Sequence, residues 1–214
     1  MEVIIDQIRA VLDAPLVGNG FTFNARTLSY STTLDKKKET FYGYYFDIRK
    51  KIGGDYYFLD ISLRVLHEKI SEIANAAKTQ VLNEREIPRS LKASLSKDIK
   101  ANQTITGVYD WREVDDAFTN DVTVWACSIH DLAELKDYKK QLLFLLNKGQ
   151  EWISKANDWE FLIKWALTHS NALQALSILK YLQRRNEFAI AKKEAIENYQ
   201  KLKYPIEELN RISY

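Results

Sequence analysis

Two neighbouring stretches of the chain are rich in aromatic residues and alternate between apolar and polar positions. They run from Phe41 to Arg49 and from Tyr56 to Val65, and Gly53-Gly54 lies between them. Two glycines in this position are typical of a two-residue primed turn, which joins two strands into an antiparallel hairpin. The pattern therefore predicts a β-hairpin in which Ile52 pairs with Asp55, and every later pair follows by counting outward.

The predicted register divides this hairpin into two faces, because side chains alternate along a strand. One face is wholly apolar or aromatic, and its members are Tyr42, Tyr44, Phe46, Ile48, Leu59, Ile61, Leu63 and Val65. The other face holds Tyr45, Asp47, Arg49, Phe58, Asp60 and Arg64. We expect the first face to be core and take the second as the candidate functional surface.

Helical and strand-like spacing predicts the elements on either side of the hairpin. An N-terminal helix is predicted to end between Pro15 and Gly20, and a strand rich in Thr, Phe and Tyr follows from Phe21 to Ser31. The apolar period is helical from Leu66 to Val81, and a second helix is predicted from Arg89 to Ala101. A loop near Asn83 separates the two helices.

The second half of the chain is predicted to be mostly helical. The β-prone stretch from Val122 to Ile129 predicts a fourth strand, and Asp131 is a good N-cap for a helix that ends near Gly149. Three shorter amphipathic segments follow before Pro205, and they span residues 159–166, 172–182 and 188–199. Their short polar links are typical of antiparallel helical hairpins.

These elements predict an α+β fold with an N-terminal helix, an antiparallel meander of about four strands and C-terminal helical hairpins. We expect residues 1–130 to form the sheet domain. Residues 131–214 are expected to form a helical region packed on or beside it, so that the two make one compact body.

Composition narrows the classes of function. The chain has 214 residues, of which 46% are hydrophobic, so it can bury a substantial core. With 31 basic and 29 acidic residues its net charge is only +2, which gives no global field that points to nucleic acid or to a membrane. Apolar runs such as Leu142 to Leu146 are too short to span a bilayer, and the N-terminus lacks the features of a secretory signal. The single cysteine, Cys127, fits a reducing compartment, so we expect a cytoplasmic protein.

The opposed carboxylates Asp47 and Asp60 are the best candidate for acid–base chemistry. Two carboxylates held close together can raise the pKa of one of them or share a divalent cation. Alternatively, Arg49 and Arg64 on the same predicted face neutralise them in a structural ion-pair lattice. A nuclease core with an acidic-x-Lys triplet would need a lysine where the sequence has Ser62. The structural interpretation is therefore favoured over the catalytic one.

Other catalytic constellations are incomplete in the sequence. His67, His130 and His169 are scattered and lack the spacing of a zinc site. Cys127 has no identifiable neighbouring base, and the glycine pairs lack the lysine or spacing of a phosphate-binding loop. We therefore predict no metal, no cofactor and no catalytic residue.

Two charged stretches of the sequence bear on the class of partner that the chain would bind. The acidic stretch from Asp110 to Asp121 includes Trp111, Asp115 and Asp116, and it is the kind of patch that steers and anchors a basic protein. The C-terminal helix is basic, but interspersed glutamates dilute its charge, which argues against nucleic-acid binding.

Several short motifs resemble the bacterial family catalogued as domain of unknown function 4304. They are Gly20-Phe21, Arg26-Thr-Leu-Ser-Tyr30 and Asp110-Trp111-Arg112, which occur with an amphipathic N-terminal helix and two aromatic strands. The resemblance covers residues 1–130. It implies a small α+β protein with an N-terminal helix, a meander and later helices, and it implies no catalytic residues.

Our first hypothesis is a non-catalytic bacterial protein-binding module, specifically an immunity protein that neutralises a toxin by direct binding. A nearly neutral chain that is rich in Trp and Tyr and has no complete catalytic motif suits surface recognition. The predicted partner-binding residues are Tyr45, Asp47, Arg49, Phe58, Asp60, Arg64, Trp111, Asp115 and Asp116. The alternatives are a metal-dependent hydrolase that uses Asp47 and Asp60, and a subunit of a phage-defence or regulatory assembly that binds through its C-terminal helices.

Overall fold

The fold is α+β, as the sequence predicts. A computed structural model describes residues 1–35, 40–50, 53–54, 57–84, 87–101, 105–107, 128–134, 137–168 and 171–214. Its strands are β1 (Thr22–Asn24), β2 (Ser29–Asp35), β3 (Thr40–Lys50), β4 (Tyr57–His67), β5 (Ile105–Gly107) and β6 (Ser128–Ile129). Its helices are α1 (Glu2–Gly18), α2 (Glu68–Leu82), α3 (Arg89–Ala101), α4 (Tyr138–Lys155), α5 (Trp159–Thr168), α6 (Ala172–Tyr181), α7 (Arg185–Leu202) and α8 (Glu207–Arg211).

Helix α1 ends where the sequence predicts, although Pro15 lies inside it. Asn19 follows the last helical residue, and its side-chain amide donates to the Pro15 carbonyl at 2.7 Å. Gly20 then has φ of +80°, a left-handed conformation that glycine adopts without steric cost. The glycine, more than the proline, therefore turns the chain from the helix into the first strand.

The single strand predicted from Phe21 to Ser31 is wrong, because a tight turn divides it into β1 and β2. The side-chain oxygen of Asn24 accepts hydrogen bonds from the backbone N–H groups of Arg26 and Thr27, at 2.9 and 3.2 Å. This local bonding competes with a continuous ladder and reverses the chain. The two strands pair antiparallel, with Phe23 opposite Tyr30.

The sheet is the predicted meander, in the order β1-β2-β3-β4-β5, and β6 also pairs with β4. Gly53 has φ of +77° between β3 and β4, as a primed turn requires. Residues 51, 52, 55 and 56 lie outside the described part, so the pairing of Ile52 with Asp55 stays a prediction.

The predicted core face of the hairpin is confirmed wherever the structure describes it. The buried members, between 1% and 7% exposed, are Tyr42, Tyr44, Phe46, Ile48, Leu59, Leu63 and Val65. Alternation therefore places these side chains on one side of the sheet, as counted from the glycine turn.

The edge of the sheet is described only in part. Of the fourth strand predicted over Val122–Ile129, Ser128 and Ile129 form β6, which pairs antiparallel with Phe58 and Tyr57, and residues 122–127 lie outside the described part. Strand β5 lies next to β4 and was not predicted, since three residues give too short a pattern.

The bounds of several helices differ from the sequence-based prediction; α7, for example, runs from Arg185 to Leu202 and not only over 188–199. Helix α2 begins at Glu68 because Leu66 and His67 still belong to β4. After Asp131 the chain forms only a short 3₁₀ turn, and α4 begins later, at Tyr138. This helix then continues through Gly149 instead of ending there.

The close approach of Tyr44 explains why a glycine lies inside α4. A Cβ atom at position 149 would lie 2.5 Å from Cε1 and 2.7 Å from Cζ of the Tyr44 ring. The Tyr44 hydroxyl donates to the carbonyl of Leu146 at 3.0 Å, in a buried hydrogen bond. Gly149 therefore serves packing between β3 and α4, and does not mark a helix end.

The chain divides into two compact units. The first comprises the described parts of Met1–Leu34, Phe41–Val65 and Thr106–Ser154, and the second those of Asp35–Thr40, Leu66–Ile105 and Lys155–Tyr214. The predicted boundary at residue 130 does not coincide with this division. Helices α2 and α3 fall with the C-terminal helices, whereas α4 falls with the sheet.

Candidate functional site

Two of the predicted partner-binding residues meet on the outer face of β3 and β4. The guanidinium carbon of Arg64 lies 4.4 Å from the centre of the Tyr45 ring, which is the geometry of a cation–π contact. Both side chains are partly buried. The strands that hold them are neighbours in the sheet, so a rigid scaffold fixes the contact.

Gly43 makes room for this stack. A Cβ atom at that position would lie 2.8 Å from Cε2 of Tyr45 and 3.0 Å from the Tyr30 carbonyl oxygen. The Tyr45 ring therefore lies over Gly43, in space that any other residue would fill. The predicted register places Gly43 opposite Arg64, but the stack of Arg64 on Tyr45 was not part of the sequence-based prediction.

The remaining predicted site residues of the hairpin are described less fully. Arg49 lies near the end of β3 and is exposed. Asp47 belongs to β3, and Asp60 and Phe58 belong to β4, but their side chains lie outside the described part. The opposition of the two carboxylates therefore stays a prediction, and so does the hydrolase that depends on it.

The acidic segment lies outside the described residues altogether. Trp111, Asp115 and Asp116 belong to the stretch 108–127, which the structure does not describe. Their role in partner binding stays a prediction.

Sequence reasoning missed a cluster between α1 and the β1–β2 hairpin. The buried hydroxyl of Tyr30 donates to one carboxylate oxygen of Asp13, and the other oxygen lies 3.0 Å from Arg9. Arg9 also lies over the Phe23 ring, 4.8 Å from its centre. The spacing of Arg9 and Asp13, four residues apart on a helix, was visible in the sequence, but nothing local indicated that Tyr30 would reach them.

The electrostatics of this cluster follow from burial and pairing. Burial is the largest cause that raises the pKa of Tyr30, and the hydrogen bond to Asp13 raises it further. The same carboxylate raises the pKa of Arg9 through a hydrogen bond and direct attraction. Tyr30 therefore keeps its proton and Arg9 its charge, and the hydrogen bond and ion pair with Asp13 tie α1 to the sheet.

The histidines take different positions. His67 is buried in the second unit, with its ring centre 5.7 Å from that of Trp159 and 4.8 Å from that of Tyr181. His130 is exposed, and His169 and Cys127 lie outside the described part. Within the ranges that the structure covers, no three His, Cys, Asp or Glu side chains converge on a point where a metal ion would bind.

Among the described residues, no helix combines the length and the apolar character needed to cross the hydrocarbon core of a bilayer.

Comparison with known proteins adds no functional assignment. No family model, no curated protein and no solved structure matches this chain. The resemblance to the family of unknown function 4304 therefore stays a prediction.

Proposed function

We propose that the chain is a non-catalytic protein-binding module whose partner docks on the outer face of β3 and β4. The stack of Arg64 on Tyr45 is the observation that carries this proposal. Tyrosine and arginine are among the residues most enriched where truncation costs the most binding energy, because they combine a large apolar body with a polar group. The stack therefore has the composition of an interface hot spot.

The geometry of the stack favours binding for a second reason. Ordering a flexible arginine at an interface costs conformational entropy, which lowers affinity. Here the guanidinium already rests on an aromatic ring held by a strand, so less freedom remains to be lost.

Within this class, our specific hypothesis is an immunity protein that occludes a toxin encoded by a neighbouring gene. The support is the aromatic content of the chain, with 5 Trp and 12 Tyr residues, and its near-neutral charge. An inhibitor of this kind acts by covering a surface of the toxin, so it needs hot-spot side chains on a rigid face and no reactive group.

Affinity purification from the organism that encodes the chain tests the proposal. Tagged wild type is compared with Arg64→Ala and Tyr45→Ala, and with the control Arg26→Ala, whose exposed arginine lies in the β1–β2 turn. We expect at least one protein to co-purify in equal amounts with wild type and with Arg26→Ala. Its amount should be at least tenfold lower with Arg64→Ala and with Tyr45→Ala.

The toxin hypothesis has a separate readout. The gene of the recovered protein is expressed alone and together with each variant. Growth inhibition that wild type relieves, and that Arg64→Ala relieves poorly, supports an immunity role. A recovered partner that does not inhibit growth contradicts the immunity hypothesis but does not contradict the proposal of protein binding. Equal recovery by folded wild type and both face variants overturns the binding proposal.

A further inference from the structure

A groove runs along α7 in the second unit. Its cavity volume is about 560 Å³, within the range of ligand-binding sites. The lining residues are Arg185, Phe188, Ala189, Lys192, Lys193, Ile196, Glu197 and Tyr214. All but Tyr214 recur at spacings of three and four along α7, so the groove follows the axis of the helix for about 18 Å.

The groove combines an apolar floor with basic walls. Phe188 and Tyr214 pack edge to face, with ring centres 5.6 Å apart, and Ile196 continues the apolar surface. Arg185 lies 5.8 Å from the centre of the Tyr214 ring. With Lys192 and Lys193 the lining has three cationic side chains, against one acidic side chain, that of Glu197. Its net charge is therefore positive, although the whole chain is almost neutral.

The wall opposite α7 is held in place by hydrogen bonds. The ammonium group of Lys192 donates to the carbonyl of Ile212 at 2.7 Å, and Lys180 donates to that of Ser213 at 2.6 Å. Ile212 is itself buried. These contacts fix the segment that carries Tyr214, so the groove is formed before any partner arrives.

We infer that this groove binds an acidic amphipathic helix of another protein. A groove parallel to a helix accepts an α-helical segment whose apolar residues are spaced three and four residues apart, since these residues form one stripe along the segment. The basic walls select glutamate and aspartate on the flanks of that segment. A second copy of this chain is disfavoured, because it would bring Arg185 and Lys193 of one copy against the same cations of the other.

This inference does not depend on the proposed function. The groove is built from α7 and the C-terminal residues, whereas the stack of Arg64 on Tyr45 lies on the sheet. Either surface can fail its test without affecting the other.

Fluorescence polarisation with synthetic peptides tests the inference on the full chain. The probe is a fluorescein-labelled 18-residue helix with leucines at positions three and four apart and glutamates elsewhere. The matched control peptide replaces every glutamate with lysine. We expect the acidic peptide to bind at least tenfold more tightly than the basic one, and its affinity to fall as salt rises from about 50 to 300 mM.

Variants locate the binding on the groove. Arg185→Glu combined with Lys193→Glu is expected to weaken binding of the acidic peptide at least tenfold. Ile196→Asp is expected to weaken it as much, because it places a charge in the apolar floor of the groove. Lys201→Glu combined with Lys203→Glu is the charge-matched control for the double variant, because neither of these exposed lysines is part of the lining. Circular dichroism confirms that each variant is folded.

Three results would overturn the inference. The first is equal affinity for the two peptides, or for wild type and the folded groove variants. The second is binding to phosphatidylserine vesicles that abolishes peptide binding, which would make the groove a membrane-contact surface. The third is concentration-dependent dimerisation, seen by sedimentation, that Ile196→Asp abolishes while the peptides do not bind.

Discussion

The ring of Tyr44 packs against the backbone of α4 at Gly149, where only a residue without a Cβ atom leaves room for it. The ring lies where a Cβ atom of residue 149 would be, and its hydroxyl is bonded to the Leu146 carbonyl. Because the ring is buried and hydrogen-bonded, it has little freedom to move aside. Glycine is therefore needed in α4, although it is a poor helix former.

Gly149→Ala is expected to destabilise the protein by about 1–3 kcal/mol. Overpacking costs about 1–3 kcal/mol, and the loss of the Tyr44 hydrogen bond adds about 1 kcal/mol, while the helix propensity of alanine offsets about 1 kcal/mol. Urea unfolding followed by circular dichroism measures the free energy of unfolding.

The matched control is Gly18→Ala at the end of α1, where an added Cβ meets nothing within 4 Å. We expect Gly18→Ala to change the free energy of unfolding by no more than about 1 kcal/mol, because alanine adds helix propensity at this position without a clash. In a Tyr44→Leu background, Gly149→Ala should cost at least about 1 kcal/mol less than in wild type. Equal costs in the two backgrounds would show that the ring is not the obstacle.

Tyr30→Phe is expected to destabilise the protein by about 1–2 kcal/mol. The substitution keeps the buried ring but removes the hydroxyl that donates to Asp13, and hydrogen bonds to charged groups contribute about 1.5–3 kcal/mol before solvent screening of the partly exposed carboxylate. A double-mutant cycle with Asp13→Asn measures the coupling free energy. Additive effects of the two substitutions would contradict the account of this contact.

At the scale of elements, β2 and β3 place three tyrosines in the core, and this couples stability to alkaline pH. Burial raises the pKa of Tyr42 to about 12, and it also raises the pKa values of Tyr30 and Tyr44. A tyrosine in the unfolded chain has a pKa near 10. Since folding favours the protonated form, the stability from these groups is fully present below about pH 10 and is lost as the pH rises through the folded values.

We therefore expect the free energy of unfolding to fall as the pH is raised above about 10. Absorbance at 295 nm reports tyrosine ionisation, and circular dichroism reports the fold. A class of tyrosines should ionise only as the protein unfolds, and Tyr42→Phe should make that class smaller by one. Ionisation of all 12 tyrosines near pH 10 with the fold intact would contradict this expectation.

Elements were predictable from sequence where the local pattern is strong. Helix α3 was predicted with its observed bounds, because Pro88 precedes it and its apolar residues recur at helical spacing. The buried face of the β3–β4 hairpin followed from alternation alone. The turn at Asn24 was missed, because β-prone residues continue on both sides of it and only the Asn side chain reverses the chain.

The role of Gly149 was not predictable from sequence, since it depends on a contact between residues far apart in the chain. The candidate surface shows the same limit. Alternation places Tyr45 and Arg64 on one face, but only the structure shows that the ring lies over Gly43 and that the guanidinium stacks on it. The α7 groove depends on Tyr214, which no helical pattern connects to α7.

At the scale of the whole molecule, each of the two units is assembled from segments distant in sequence. The sheet unit takes α4 from beyond the predicted boundary at residue 130, and the helical unit takes α2 and α3 from before it. The order of elements along the chain therefore did not predict the two units, because packing between elements remote in sequence decides which unit each element joins. The sequence also has no linker rich in Gly or Pro that would mark a boundary.

The proposed role also belongs to this scale, since a binding module acts through surfaces that its folded units present. The stack of Arg64 on Tyr45 is proposed to be the hot spot for a protein partner. Truncation of a hot-spot residue costs at least about 2 kcal/mol of binding free energy, which corresponds to about a 30-fold change in Kd.

Calorimetric titration of the purified partner into wild type, Arg64→Ala and Arg26→Ala tests this role most directly. We expect wild type and Arg26→Ala to bind with equal affinity and Arg64→Ala to bind at least about 30-fold more weakly, with all three proteins folded. Equal affinities for all three would contradict a binding role for the outer face of β3 and β4.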